Sequence, residues 1–200
     1  SDISPTAGQM PRLLGLAFAS KQFRNTKELK DFKDLSHGGN EVAFGTIGDA
    51  STSEGHFWEA MNAAAVLQVP LAMSIWDDGY GISVSKEFQT TKGSISEVLA
   101  GFQRTESEKG FEILKVKGWD YEALNQAFTY AGQVARTEHV PVLIHVEEMT
   151  QPQGHSTSGS HERYKSAERL KWEKDWDCIS KFRDYITTNG IATADQLDAI

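Results

Sequence analysis

Hydrophobic positions along the chain fall into two alternating patterns. Residues 9–23 carry apolar positions at helical spacing, with Pro11 placed in the first turn, where a missing amide costs nothing. Residues 26–40 are charged and end in His37-Gly38-Gly39-Asn40, which reads as a surface connection. A strand is expected from Glu41 to Ile47, and a helix follows with Phe57, Met61, Ala64 and Ala65 on one face, ending near Leu67. Pro70 precedes a second strand, Leu71 to Trp76. Further strands are expected from Phe111 to Val116 and from Pro141 to Val146. Between them, Asp120 can cap a long helix with Leu124, Ala127, Phe128, Ala131 and Val134 on its buried side. Residues 150–161 form a polar loop, and one Trp-rich amphipathic helix is expected from Ser166 onward. Capping-box pairs stand at Ser51/Glu54, Ser94/Glu97 and Thr193/Gln196.

Strands separated by helices of crossover length imply an α/β fold, with a mainly parallel sheet flanked by helices. In such sheets ligands collect at the carboxyl ends of the strands. Three polar loops follow expected strand ends, at 48–54, 77–81 and 149–161, and parallel neighbouring strands would bring them together.

Two hundred residues can bury a sizeable core, and the ten Phe and five Trp fit a globular protein. The formal charge is −8 with no long basic run, which argues against a nucleic-acid partner. No apolar run reaches membrane-spanning length, and no signal-peptide pattern opens the chain. The single cysteine, Cys178, cannot form an internal disulfide, so a cytoplasmic location is expected, with Cys178 as a helix-packing thiol. The start at Ser1 and the stop at Ile200, shortly after a helix-start signal, lead us to expect further sequence beyond the chain.

The loops carry the candidate chemistry. Gly48 can let the chain turn after the strand, Asp49 presents a hard oxygen, and the amides that follow can face phosphate at a helix start. A Gly-Asp pair alone is more often an ordinary strand–turn–helix junction. Asp78, twenty-nine positions later, lies one helix and one strand further on, so both carboxylates can reach the same edge of adjacent parallel strands. Two carboxylates with a backbone carbonyl, as from Tyr80, suit Mg²⁺, whose shell phosphates and water complete. Asp78-Gly79 between apolar runs is equally a hairpin-turn signal, and spacing alone leaves both readings open. His155 follows the fourth strand and can donate to phosphate or move protons near neutral pH. His161 is near it, but no third ligand has zinc spacing.

Taken in order, these segments resemble a known family. Gly48-Asp49-Ala50, Glu54-Gly55, Glu59-Ala60-x-Asn62-x-Ala64-Ala65, Pro70 and Asp77-Asp78-Gly79-Tyr80-Gly81-Ile82-Ser83 are similar to the thiamine-diphosphate motif. With Ser4-Pro5-Thr6-Ala7-Gly8-Gln9-Met10-Pro11, Gly154-His155-Ser156-Thr157-Ser158 and Tyr164, the likeness covers most of residues 3–175. It points to alpha subunits, or alpha-like parts of fused chains, of the pyruvate and branched-chain 2-oxo-acid dehydrogenases. That resemblance implies a thiamine-diphosphate-binding fold, divided here as a cofactor-binding domain over 1–165 and a helical extension over 166–200. It implies Mg²⁺ held by Asp49, Asp78 and the Tyr80 carbonyl. Gly48, Ala50 and Ser51 would line the diphosphate, Ser4 and Thr6 would meet the aminopyrimidine, and Ile82 would pack near the cofactor. His155 would be the catalytic residue, reaching both the diphosphate and the reacting centre. The implied activity is oxidative decarboxylation of a 2-oxo acid with acyl transfer to the lipoyl group of a partner acyltransferase. A beta subunit or fused beta-like domain would supply the activating glutamate, for which no candidate is visible in this sequence. Ser156 matches a position phosphorylated in some relatives.

Three departures stand out. Ala50 replaces a glycine of the motif. Asp77-Asp78 replaces Asn-Asn, which adds charge beside a diphosphate and predicts both tighter metal retention and nearby cations. Trp76 stands where some relatives carry a phosphate-holding arginine. Other readings are an acetoin dehydrogenase or transketolase-like fragment, a phospho-receiver-type Mg²⁺ signalling module, or a non-catalytic fragment. A receiver would need a Lys after a later strand, where this chain has Glu147-Glu148-Met149.

Overall fold

The computed structural model describes residues 5–155 and 161–200. Its centre is a four-stranded, fully parallel sheet of β1 (Ala43–Gly48), β2 (Leu71–Trp76), β5 (Glu112–Lys117) and β6 (Val142–Glu147), in the order β1-β2-β6-β5. A separate two-stranded hairpin pairs β3 (Tyr80–Gly81) with β4 (Val84–Ser85). Helices α1 (Gln9–Asn25), α2 (Gly55–Leu67), α3 (Ile95–Val98) and α4 (Tyr121–Glu138) precede or connect the strands. Three more, α5 (Ala167–Asp175), α6 (Cys178–Thr188) and α7 (Ala194–Asp198), follow the sheet.

The central strands β2 and β6 are buried on both faces, as parallel sheets favour, while the edge strands β1 and β5 are only partly covered. Met10 and Ala17 of α1 and Phe57, Met61 and Ala64 of α2 pack with Leu71, Met73 and Ile75 of β2 and Leu143 of β6. Val134, Ala131 and Ala135 of α4 cover the other face, against Val116 of β5 and Val142, Ile144 and Val146 of β6. The alternation of period two along β6 sends Leu143 to one side and its neighbours to the other. Each large core side chain contributes roughly 1.5–3 kcal/mol of burial, and cutting fully buried Phe57 to alanine costs about 3–5 kcal/mol.

Helix caps separate the elements that local sequence dictates from those that it does not. Asp120 accepts from the Ala123 amide, and Thr193 and Gln196 form a reciprocal capping box. The other two expected boxes are absent. Ser51 lies inside a 3-10 turn, Ala50–Ser53, and α2 starts only at Gly55 after an extended Glu54. Ser94 stands at the N-cap of α3 but bonds Ser96 Oγ instead of a backbone amide. The expected single helix after Ser166 is two. Asp177 caps a new one by accepting from the Ser180 amide, so α5 stops at Asp175. Aromatic contacts tie this region to the start of α4: the Trp176 ring centre lies 4.5 Å from that of Trp119, just before α4, and Phe182 4.5 Å from Tyr121, its first residue. Cys178 is half-buried in the first turn of α6, where its Sγ accepts from Thr150. Among the described residues no helix is long and apolar enough to cross a membrane.

Candidate cofactor and metal site

Pairing in the sheet fixes where the loops begin. Gly48 is in register with Trp76, and Trp76 with Val146. Two bonds carry the ladder past the strand ends: Asp49 N–H donates to Trp76 O at 3.1 Å, and Asp77 N–H to Val146 O at 2.9 Å. Met149 N–H donates to Asp77 O at 3.0 Å, which ties the third loop to the second. The three polar loops therefore meet at the carboxyl edge of β1, β2 and β6.

They enclose a pocket of about 500 Å³. Thr6, Gly48, Asp49, Ala50, Ser51, Asp78, Tyr80, Ile82 and His155 all line it, with Trp76, Gly81, Met149, Thr150 and Gln151. Nine expected site residues thus share one cavity. Ser4 and Ser156 lie outside the described residues.

Asp49 is 5% exposed, and its Oδ2 is buried without a hydrogen-bond partner. Burial, followed by the charges of Asp77 and Asp78, pushes its carboxyl up from 3.8 to about 7. Burial likewise raises Asp78, against the Tyr80 amide and the charge of Lys165. A buried oxygen with nothing to bond asks for a proton or a cation. Hard carboxylate oxygens on adjacent loops fit Mg²⁺. Among the described residues no three His, Cys, Asp or Glu side chains converge on one point, so a cation here would draw on Asp49, Asp78, a backbone oxygen and the oxygens of its own ligand.

Asp77 differs from its neighbour. Burial pushes it up, but hydrogen bonds from His145 and Lys86 prevail and hold it below the ordinary carboxylate range. Its Oδ2 accepts from His145 Nε2 and Lys86 Nζ, each at 2.9 Å, and its Oδ1 from the Gly79 amide. His145 Nδ1 in turn lies 2.8 Å from Ser96 Oγ. Ser96, His145 and Asp77 thus have the spacing of a hydrolytic triad, but they are 4%, 0% and 2% exposed and none lines the pocket. No substrate reaches them; they anchor the turn. Sequence reading missed this group, although a histidine inside an otherwise apolar strand was its signal, since a buried polar group needs a partner.

Local backbone explains the residue choices and corrects three expectations. Gly48 ends β1 with no left-handed torsion, and a methyl group there would meet only Ser51 Oγ, at 3.8 Å. It is not a turn glycine; it leaves a bare wall on the pocket. Gly79, at φ +83°, is the position that requires glycine. The helix start expected to face phosphate is instead the 3-10 turn after Asp49. Ala50 departs from the motif at the expense of Gly81, where an added Cβ would fall 2.7 Å from the Ala50 methyl. The hairpin exists, but its turn is Ile82-Ser83 and not Asp78-Gly79. Ile82 has φ +59° and is half exposed, an uncomfortable state for a β-branched residue. Trp76 is half exposed and donates to Ser74 Oγ. The cations expected beside the acidic pair are Lys86, Lys165 and Arg169.

The comparisons with known proteins agree with this geometry. The sequence matches the family described as dehydrogenase E1 component over residues 2–200. The chain belongs to that family. Subunit alpha 1 of the mitochondrial 2-oxoisovalerate dehydrogenase of Arabidopsis thaliana is 30% identical over 191 residues, which are 94% of this chain and 35% of the relative. The corresponding alpha subunit of Caenorhabditis elegans is 32% identical over 189 residues, 94% of this chain and 38% of that protein. This E1 chain therefore spans about a third of the relatives it matches. A transketolase from Pichia stipitis shares the fold with a TM-score of 0.56 at 21% identity, over 88% of this chain and 25% of that one. The thiamine-diphosphate-binding fold and the family expected from sequence both hold, and family membership retires the phospho-receiver reading.

Proposed function

We propose that this E1 chain forms the Mg²⁺- and diphosphate-holding half of a thiamine-diphosphate-dependent 2-oxo-acid dehydrogenase. One observation carries the reading: a buried carboxylate oxygen on Asp49 with no partner, beside Asp78, in a pocket at the carboxyl edge of a parallel sheet. Asp49, Asp78 and the Tyr80 carbonyl would hold the cation. Gly48, Ala50 and Ser51 would line the diphosphate, and Ser4 and Thr6 would meet the aminopyrimidine. Ile82 would press on the cofactor from the hairpin turn. His155, at the pocket rim, would donate to the diphosphate and move the proton at the reacting centre. When bound, thiamine diphosphate supplies the electron sink on which a 2-oxo acid can lose CO₂.

The division we propose keeps residues 1–165 as the cofactor-binding domain and 166–200 as its helical extension. The alpha designation of the named relatives supports a partner subunit, which we take to be a beta subunit or fused beta-like domain, and the family resemblance implies acyl transfer to a lipoyl-bearing acyltransferase. They favour a branched-chain 2-oxo acid over pyruvate, and over an acetoin dehydrogenase or transketolase-like activity. The single cysteine supports a cytoplasmic location, whereas the named relatives are mitochondrial; cell fractionation separates the two.

Calorimetric titration of the chain, joined to its beta partner, with thiamine diphosphate and Mg²⁺ tests the cofactor. Saturable uptake that requires both is expected, and no uptake would overturn the proposal. Turnover of branched-chain 2-oxo acids against pyruvate and acetoin then fixes the substrate.

A further inference from the structure

An ion network lies directly behind the Asp78 turn, on α5 and on Lys165 just before it, and none of its residues lines the pocket. Glu173 of α5 is fully buried, and its two oxygens accept from Lys165 Nζ, each at 2.8 Å. Arg169 Nε donates to the same carboxylate at 2.8 Å. A buried carboxylate between two cations persists only when its hydrogen bonds are made, and here they are. Arg169 also bonds in a second direction. Its Nη2 donates to the main-chain carbonyl of Asp78 at 2.6 Å. Both cations stand over the Tyr80 ring, at 5.1 Å and 5.4 Å from its centre, and Arg169 also covers Trp172 at 4.8 Å. Within the turn, the Tyr80 amide donates to Asp78 Oδ1 at 3.1 Å. The carbonyl of Asp78 and the ring of Tyr80 are thus both held from α5.

We propose that Arg169, held in place by Glu173, is a positioning residue that fixes the Asp78–Tyr80 turn in its cation-receiving shape. This rests on the Mg²⁺ site of the proposed function. The two ways Arg169 could act have opposite signs. As a charge, a guanidinium beside a cation site repels the cation and weakens binding. As a clamp, it holds the main chain of Asp78 and the ring of Tyr80, the two residues that carry ligand atoms, before the metal arrives; that lowers the cost of ordering the turn and strengthens binding. The geometry favours the clamp: both ends of the planar guanidinium are bonded and its face is stacked. A lysine offers no such fork.

The test is uptake of Mn²⁺ alone by the full chain, read by electron paramagnetic resonance, for wild type, Arg169→Met and Arg169→Lys. Methionine keeps the stem over Tyr80 and Trp172 and removes charge and fork together; lysine keeps the charge. Because Arg169 is partly exposed, with 29% of its side chain accessible, both variants are expected to fold, and the lysine variant carries the test if the methionine variant does not. The clamp predicts that both lose about tenfold in Mn²⁺ affinity, the range in which loss of a ligand-orienting partner falls. Charge alone predicts tighter binding by Arg169→Met and no change in Arg169→Lys. A merely structural role predicts a lower melting temperature with unchanged affinity. Unchanged or tighter uptake by the variants overturns this inference alone. Failure of the wild-type chain to take up Mn²⁺ overturns it together with the metal site.

Discussion

Replacing Asp49 by asparagine gives a result whose sign depends on pH. In the folded chain Asp49 keeps its proton up to about pH 7, whereas an ordinary aspartate releases it near 3.8. Between those values the folded state binds more protons than the unfolded state, so stability falls as pH rises. The contribution is complete below the unfolded value and lost as pH passes the folded one. Above about pH 7 the cation-free protein holds an ionised, buried carboxylate at a cost on the order of 2–4 kcal/mol. Asparagine removes that charge but leaves an amide where Oδ2 already lacks a partner, a cost of about 1–2 kcal/mol. The net expectation is that Asp49→Asn is more stable than wild type by roughly 1–2 kcal/mol at about pH 8 in chelator, and less stable at about pH 5. For a domain of this size each kcal/mol moves the melting temperature by about 2–4 °C, within reach of calorimetry. Mg²⁺ should then raise the melting temperature of wild type at about pH 8 and leave that of Asp49→Asn in place. If the variant melts below wild type at the higher pH, or still gains stability from Mg²⁺, Asp49 is not the strained, cation-seeking group described.

Three further outcomes follow from the same loops. Asp78→Asn should retain Mg²⁺ less well than wild type in equilibrium dialysis, since a neutral ligand replaces a charged one; tighter retention would contradict this. Ile82→Gly should melt no lower than wild type in the cofactor-free chain, because relief of about 1–2 kcal/mol of left-handed strain offsets the lost side chain, yet should bind thiamine diphosphate more weakly by calorimetry. A variant that loses stability without losing affinity would assign Ile82 to packing. Gly81→Ala should cost about 1–3 kcal/mol in chemical denaturation through collision with the Gln89 side-chain amide and the Ala50 methyl, and pairing it with Ala50→Gly should recover only the part due to the methyl.

Much of this architecture was legible because local pattern and tertiary demand coincide. The apolar run at 71–76 had nothing to do but become the buried β2, and Asp120 and Thr193 capped as their positions required. The departures arise where a distant partner decides. Ser51 and Glu54 spell a capping box, but the loop after β1 is pinned to Trp76 O and closes as a 3-10 turn before α2 can begin. The C-terminal pattern kept helical spacing through Trp176, and the Asp177 cap that divides it is visible only as Asp177 followed three residues later by Ser180. Within the site, Asp49 and Asp78 could be placed by counting strands. The division of labour between Asp77 and Asp78 could not, because His145, Lys86 and Arg169 reach the turn from 68, 9 and 91 positions away.

The pocket wall brings two carboxylates and, among its described lining residues, no lysine or arginine; the cations of this region all stand behind the turn. Once Asp49 is ionised, above about pH 7, an anionic guest therefore meets a repulsive cleft when it comes alone. Under the proposed role it enters as an ion pair with its divalent companion, so apparent affinity for one should rise with the free concentration of the other. Occupancy of this half-site would then track the divalent-ion activity of its compartment as closely as the vitamin supply.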